Sequence, residues 1–232
     1  MRIKLKRRFI LSTVFIVLNS AQIAHPSLDP PSEAFAANIK PTDKFARITL
    51  PRYTMAIRQN AAAYGLDWKL IMAIMKQESQ FAENALSRRG ARGLMQVMPE
   101  TEVEVANHLG LKNLHHPYRN IRGGTFYFAK LYDLFDRAPD EDRLKLTIAS
   151  YNAGPGRIYD AQELAAYLGE NPFSWQVIEK VLPLLSRRYY TLHGSVWGGG
   201  KPRNGYFGKS RQTIVYVEGV LENYERYKSM LD

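Results

Sequence analysis

The chain has 232 residues, 45% hydrophobic and 23% charged, a balance that fits one globular domain with a sizeable core and excludes a disordered or fibrous protein. It has no cysteine, so a disulfide framework, a thiol nucleophile, thiolate metal sites and a cysteine-linked lipid anchor are all excluded. The formal net charge is +10; Arg2, Lys4, Lys6, Arg7 and Arg8 against Asp29 and Glu33 place +3 of it in residues 1–36 and leave +7 for the remainder. A basic body suits an anionic polymer, whether nucleic acid, an acidic membrane or a bacterial cell wall. No arginine-rich helix, RNP-like aromatic pair or zinc-finger spacing speaks for nucleic acid.

Residues 1–8 are basic, and residues 9–21 form an apolar run of 13 interrupted by Ser12, Thr13, Asn19 and Ser20. That is short for a membrane span, which takes ~20 apolar residues. A turn-rich stretch follows, then Ala34-Phe35-Ala36, an A-x-A site with cleavage expected before Ala37. Residues 1–36 therefore read as a secretory signal peptide, with an uncleaved N-terminal anchor as the competing reading. Either way the body is exported.

Residues 37–52, with Pro41 and Pro51, read as a lead-in, and residues 53–64 as a first helix stopped by Gly65. Asp67 is placed to cap the next helix, whose Leu70, Ile71, Ile74 and Met75 form an apolar face. Glu78 is the next member of that series and points to the same face. Low dielectric there disfavours the carboxylate and raises its pKa, which makes a general acid near neutral pH. The bland alternative is the exposed end of a helix, among Lys76, Gln77, Ser79 and Gln80.

Asn84, Ser87 and Gly90 break the helical pattern into a loop, and residues 93–98 form a short apolar turn ended by Pro99. Residues 101–109 read as a helix, with Glu100, Glu102 and Glu104 solvated at its positive end. Residues 120–137 form an amphipathic helix with Phe128, Leu131, Leu134 and Phe135 facing in. Residues 143–150 form another, ending in the forced turn Tyr151-Asn152-Ala153-Gly154-Pro155-Gly156. Residues 175–190 and 212–231 complete the set, the last with Ile214, Val217, Leu221 and Tyr224 on one stripe. The glycine- and aromatic-rich residues 194–209 lack a GxxxxGK[ST] pattern and a preceding strand, so they are not a phosphate loop. No alternating strand and no repeat is visible, and the fold is expected to be mainly α. The five histidines have no metal-ligand spacing, so no metal and no cofactor is expected.

Taken together, Glu78-Ser79-x-Phe81, then Ser87, Gly90-Ala91, Gly93-Leu94-Met95-Gln96 with Met98-Pro99, and finally residues 151–156 resemble the three-part signature of the lytic transglycosylase (SLT) family. The resemblance covers residues 53–156. Residues 175–227, notably LPLL at 182–185 and YVEGVLENY at 216–224, are similar in layout to the end of the membrane-bound lytic murein transglycosylase F group, whose solute-binding-like domain has no counterpart in these 232 residues.

The resemblance implies a single goose-lysozyme-like helical catalytic domain over residues 53–232, acting in the periplasm as a monomer on peptidoglycan glycan strands. It implies cleavage of the β-1,4 bond between N-acetylmuramic acid and N-acetylglucosamine, with Glu78 as the sole catalytic acid and a 1,6-anhydro ring as the product end. By the same resemblance Ser87 and Gln96 contact the sugar, Met98 and Tyr151 offer apolar walls, Asn152 hydrogen-bonds substrate, and Tyr216 orients the acid. Many relatives begin the helix of that tyrosine with E-T-R-x-Y-V, where this chain has Gln212-Thr213-Ile214-Val215-Tyr216-Val217. A hydrolytic muramidase on the same fold, or a weakly active wall-binding factor of a membrane or envelope apparatus, remain the alternatives.

Overall fold

The computed structural model describes residues 44–231, with side chains from residue 52 onward. Residues 1–36 and most of the lead-in lie outside the described residues. The described chain is helical throughout, with α1 (Lys44–Ala62), α2 (Trp68–Ser79), α3 (Pro99–Leu109), α4 (Pro117–Asp133), α5 (Asp140–Ala153) and α6 (Pro155–Tyr167). After them come α7 (Trp175–Val181), two 3₁₀ turns (Leu182–Leu185 and Arg187–Tyr189), α8 (Tyr190–Val196) and α9 (Ser210–Met230). Its only β pairing is two isolated bridges, Leu86 with Arg92 and Arg92 with Val97.

Several boundaries move from those the sequence suggests. The first helix begins at Lys44 within the supposed lead-in and runs through Pro51, where the loss of one backbone hydrogen bond does not end it. Pro99 opens α3 and Pro117 opens α4, because a proline at the first helical position gives up an N–H that has no partner there anyway. For the same reason Pro155 begins α6, a helix hidden in the sequence by the turn-like Gly154-Pro155-Gly156. Leu134 is 40% exposed, not inward-facing, because α4 stops at Asp133 and the 3.6-residue period stops with it. The expected helix over residues 175–190 is broken by Pro183 into α7 and the two 3₁₀ turns. On α9 the buried stripe is Thr213, Tyr216, Val217, Val220 and Tyr227, with Ile214, Leu221 and Tyr224 at its edge.

The core is built around α2, whose residues 70–75 are all buried. Asp67 caps it as expected, its side chain accepting from the Lys69 N–H at 2.8 Å. Helix α9 lies against α2 and α5, α1 against α2 and α4, and α6 against α5 and α7. The α2–α9 approach is close: a Cβ on Gly219 would stand 2.9 Å from the Gln77 amide oxygen.

The loop of residues 80–98 has no regular ladder, so side chains satisfy its backbone instead. Asn120, buried in α4, accepts from the Met95 N–H at 2.8 Å and donates to the carbonyls of Arg92 at 3.0 Å and Leu114 at 3.3 Å. Ser79 donates to the Leu94 carbonyl at 2.8 Å. Gly93, at φ 75°, passes so near Asn120 that a Cβ would stand 2.6 Å from its side chain. Replacing Asn120 by alanine takes this partner from the buried Met95 N–H and the Leu114 carbonyl, while the Arg92 carbonyl keeps the Val97 N–H. Asn120→Ala should therefore lower the unfolding free energy by about 2–4 kcal/mol, read as an earlier urea midpoint at unchanged slope.

Candidate active site

Glu78 sits in the last turn of α2, one turn beyond the fully buried Ile74 and Met75. It is half-buried, and one carboxyl oxygen accepts a 2.6 Å hydrogen bond from the Tyr216 hydroxyl of α9. Burial pushes the carboxyl from its usual 4.5 up to about 7, and the Tyr216 hydrogen bond, which favours the charged form, pulls the other way. Burial and the neighbouring Glu78 charge hold the Tyr216 phenol well above its ordinary range, so it is always the donor.

Tyr151 is held neutral by the same two causes. Its hydroxyl is committed to the Met95 carbonyl at 2.8 Å, and its ring packs against Tyr127 and Phe128 with centroids 5.7 and 5.9 Å away. What Tyr151 presents is therefore an apolar ring. Asn152 accepts from the Thr213 hydroxyl at 2.8 Å, which ties the end of α5 to α9 one turn before Tyr216. That commits the amide oxygen of Asn152 and leaves its NH₂ as the group able to donate.

A cleft of about 860 Å³ opens beside the Glu78–Tyr216 pair, lined by Gln96, Met98, Tyr127, Tyr151, Asn152 and Thr213 among others, with Glu78 and Tyr216 behind its lining and not part of it. Gln96, in the left-handed region at φ 45°, donates its side-chain NH₂ to the carbonyls of Ala85 at 3.1 Å and Gly93 at 3.0 Å. Its amide oxygen remains to accept. Ser87 is not part of this lining; its hydroxyl oxygen accepts from the Ala91 N–H at 2.9 Å and closes the loop. The structure thus joins Glu78 to Tyr216, gathers Gln96, Met98, Tyr151 and Asn152 on one cleft, and leaves Ser87 bracing the hairpin beside it.

The glutamates after the loop divide. Glu100 is exposed and lines the cleft, whereas Glu102 is not solvated: it accepts from the Leu114 N–H at 2.8 Å. Glu104 pairs with Lys130.

One wall of the cleft comes from a segment the sequence left without a role. Tyr206, Phe207, Gly208 and Lys209 line it, because residues 197–207 are fastened to α6 and to the first 3₁₀ turn. Glu163 takes the Trp197 indole N–H at 2.7 Å and the Arg203 guanidinium through both carboxylate oxygens. Asp160 takes the Asn204 N–H at 2.9 Å and its side-chain NH₂ at 3.1 Å, and the Phe207 N–H donates to the Leu185 carbonyl at 3.0 Å. Asp160 and Glu163 share one face of α6 at a spacing of three, a signal unreadable while that helix itself was unseen. No cluster able to hold a metal ion occurs among the described residues.

The helical fold agrees with the comparisons to known proteins. The family model described as "Transglycosylase SLT domain" matches residues 55–173, and the chain belongs to that family. A membrane-bound lytic murein transglycosylase F of Marinobacter nauticus is 36% identical over 178 residues, covering 76% of this chain and 33% of that protein. The protein of the same name from Desulfosudis oleivorans is 36% identical over 183 residues, covering 77% and 37%. The chain thus spans about a third of the length of these relatives. Among solved structures, the 70 kDa soluble lytic transglycosylase of Escherichia coli superposes with a TM-score of 0.54 at 22% identity, over 80% of this chain and 26% of that one. An inactive mutant of the lytic transglycosylase Slt of Pseudomonas aeruginosa gives 0.53 at 24% identity, over 81% and 28%. These likenesses establish the lysozyme-like fold. No described helix is long and apolar enough to cross a membrane.

The raised pKa of Glu78 has a consequence for stability. The folded state holds a proton on Glu78 that the unfolded chain has released, so wild type loses stability as pH rises from about 4.5 to beyond about 7. Glu78→Gln cannot ionise. Its unfolding free energy relative to wild type should rise by up to about 3 kcal/mol between about pH 4 and about pH 8, measured by denaturant melts across that range.

Proposed function

We propose that the chain is an exported peptidoglycan lytic transglycosylase, cleaving the β-1,4 bond between N-acetylmuramic acid and N-acetylglucosamine without water and leaving 1,6-anhydromuramoyl ends. The observation that carries this reading is the single half-buried carboxyl at Glu78, raised to about 7 and hydrogen-bonded by a neutral tyrosine. Protonated Glu78 donates to the glycosidic oxygen as the C1–O bond breaks. The resulting carboxylate then takes the proton of the muramoyl C6 hydroxyl, whose oxygen attacks C1 and closes the ring. Tyr216 holds one carboxyl oxygen throughout, leaves the other for the travelling proton and steadies the carboxylate between the two steps. The ring of Tyr151 and the side chain of Met98 offer surfaces for sugar, and the Asn152 NH₂ and Gln96 amide oxygen are the polar groups of the same wall. The A-x-A site at Ala34-Phe35-Ala36 supports a periplasmic location, with glycan strands as the macromolecule bound and a monomer as the working unit.

Hydrolysis is the second reading, because Glu100 places a carboxylate on the cleft wall. Its side chain is exposed to solvent. The end group of the product separates the readings.

Mass spectrometry of soluble products from purified peptidoglycan should find anhydromuramoyl ends with wild type and none with Glu78→Gln, whose rate should fall by about 10²–10⁴. Hydrated ends that vanish in Glu100→Gln would establish the muramidase instead. The kcat/KM profile should fall as pH rises through about 7, because the free enzyme must carry the proton. Tyr216→Phe removes a bond to the charged form, so its basic limb should move to higher pH as its rate drops; an unmoved limb would argue against Tyr216 acting on this carboxyl.

A further inference from the structure

Helix α9 runs antiparallel to α2 and is bonded to it at both ends. Near the start of α9 the Tyr216 hydroxyl bonds Glu78, in the last turn of α2; eight residues on, the Tyr224 hydroxyl donates to Asp67, the N-cap of α2, at 2.8 Å. At 1.5 Å per residue the two bonds are about 12 Å apart along α9 and about 16 Å apart along α2. Asp67 serves two purposes at once: one carboxylate oxygen takes the Lys69 N–H at 2.8 Å and caps the helix, and the other takes Tyr224. Burial and the Asp67 carboxylate hold the Tyr224 phenol well above its ordinary range, so it stays the donor.

Between these bonds, packing sets the register of the two helices only loosely. A close crossing falls at Gly219, which presents no side chain to interlock with α2. Asn223 donates to Gln77 at 3.3 Å, a long bond between two flexible amides. The buried Val217 and Val220 press α9 onto the core, but apolar burial has no direction and tolerates a small slide. The 2.6 Å Tyr216 bond does not. Its strength also changes during the proposed reaction, because a hydroxyl bonds a carboxylate roughly twice as strongly as a carboxylic acid. The Tyr224 bond takes no part in that proton transfer.

We propose that Tyr224 is a positioning residue: its bond to Asp67 fixes the register of α9 on α2 and so keeps the Tyr216 hydroxyl on Glu78 while that carboxyl loses and regains its proton. The inference rests on the acid role of Glu78 proposed above and adds a residue that touches neither substrate nor acid.

The test follows the Glu78 carboxyl directly, by NMR titration of protein labelled at the glutamate carboxyl carbon, with Glu78→Gln assigning the signal. Wild type should titrate at about 7. Tyr224→Phe keeps the ring and loses the hydroxyl; its midpoint should rise by about half a pH unit or more, with kcat on peptidoglycan falling about threefold to tenfold and KM within about twofold. Asp67→Ser, which still caps α2 but is too short to reach Tyr224, should reproduce the rise. Asp67→Asn, able to cap through its oxygen and donate to the phenol oxygen, should keep the wild-type midpoint. Added to Tyr216→Phe, Tyr224→Phe should move the midpoint no further, because the bond it protects is already gone.

Thermal melts are run beside the titrations. A bond that merely stabilises the fold would lower the melting temperature of Tyr224→Phe and leave the Glu78 midpoint in place, and that result overturns the proposal. A rise of equal size with and without Tyr216, or a midpoint that falls, overturns it too. If the Tyr224 variant does not fold, the two Asp67 variants decide by the same criterion. The titration needs no turnover, so a wild type that yields no anhydromuramoyl ends sinks the catalytic reading alone and leaves the effect of Tyr224 on Glu78 standing.

Discussion

The hydrogen bond between Tyr216 and Glu78 is the constraint on which the rest of this molecule depends. It joins positions 138 residues apart, and it exists only because α9 lies close along α2. Gly219, one turn beyond Tyr216, permits that approach by leaving room for Gln77. The same packing that delivers the tyrosine also removes water from the carboxyl. Burial and hydrogen bonding then oppose one another, and burial wins, which leaves the acid near neutrality. A tyrosine is suited to this position because it cannot compete for the proton: its own ionisation lies far above the pH at which Glu78 titrates.

Around that pair the protein solves a second problem, that of an irregular loop beside a functional group. Met95 illustrates the solution. Its N–H goes to Asn120 of α4, its carbonyl takes the Tyr151 hydroxyl of α5, and the neighbouring Leu94 carbonyl takes Ser79 of α2. Three helices thereby fix one short stretch of backbone. The hydrogen bonds that a sheet would supply come from buried polar side chains, which specify a single geometry because leaving any of them unmet is costly. Gln96 and Ser87 take part in the same bracing, so their polar atoms are already partly committed to the loop itself.

The third wall is assembled differently. The glycine-rich segment buries Trp197 and Phe207 in the core, and it is held further by two acids of α6, Asp160 and Glu163, and by one backbone bond to the first 3₁₀ turn. Those acids are consumed in fastening the segment. Arg157, one turn before Asp160 on the same helix, is therefore left without that acid as a partner.

Much of this was legible in the sequence. The Asp67 cap, the apolar series from Leu70 to Met75 and the place of Glu78 at its end are local properties, fixed by spacing along one helix. The ordered motifs through residue 156 marked the family for the same reason: they are contiguous. What the sequence left unread depends on distance in space or on backbone geometry. Helix α6 was masked because glycine and proline signal a turn and a helix start with the same letters. Leu134 was misplaced because a period says nothing about where its helix stops. The roles of Asn120 and of residues 194–209, and the commitment of Asp160 to Asn204, belong to partners from remote elements that no local pattern encodes. The sequence by itself determined that a carboxyl, Glu78, ends the apolar series of its helix and why that helix draws it toward the core. Only the tertiary structure decided how far its pKa rises and which cations stay unpaired, because desolvation and charge pairing are set by what packs against a side chain, not by what precedes it in the chain.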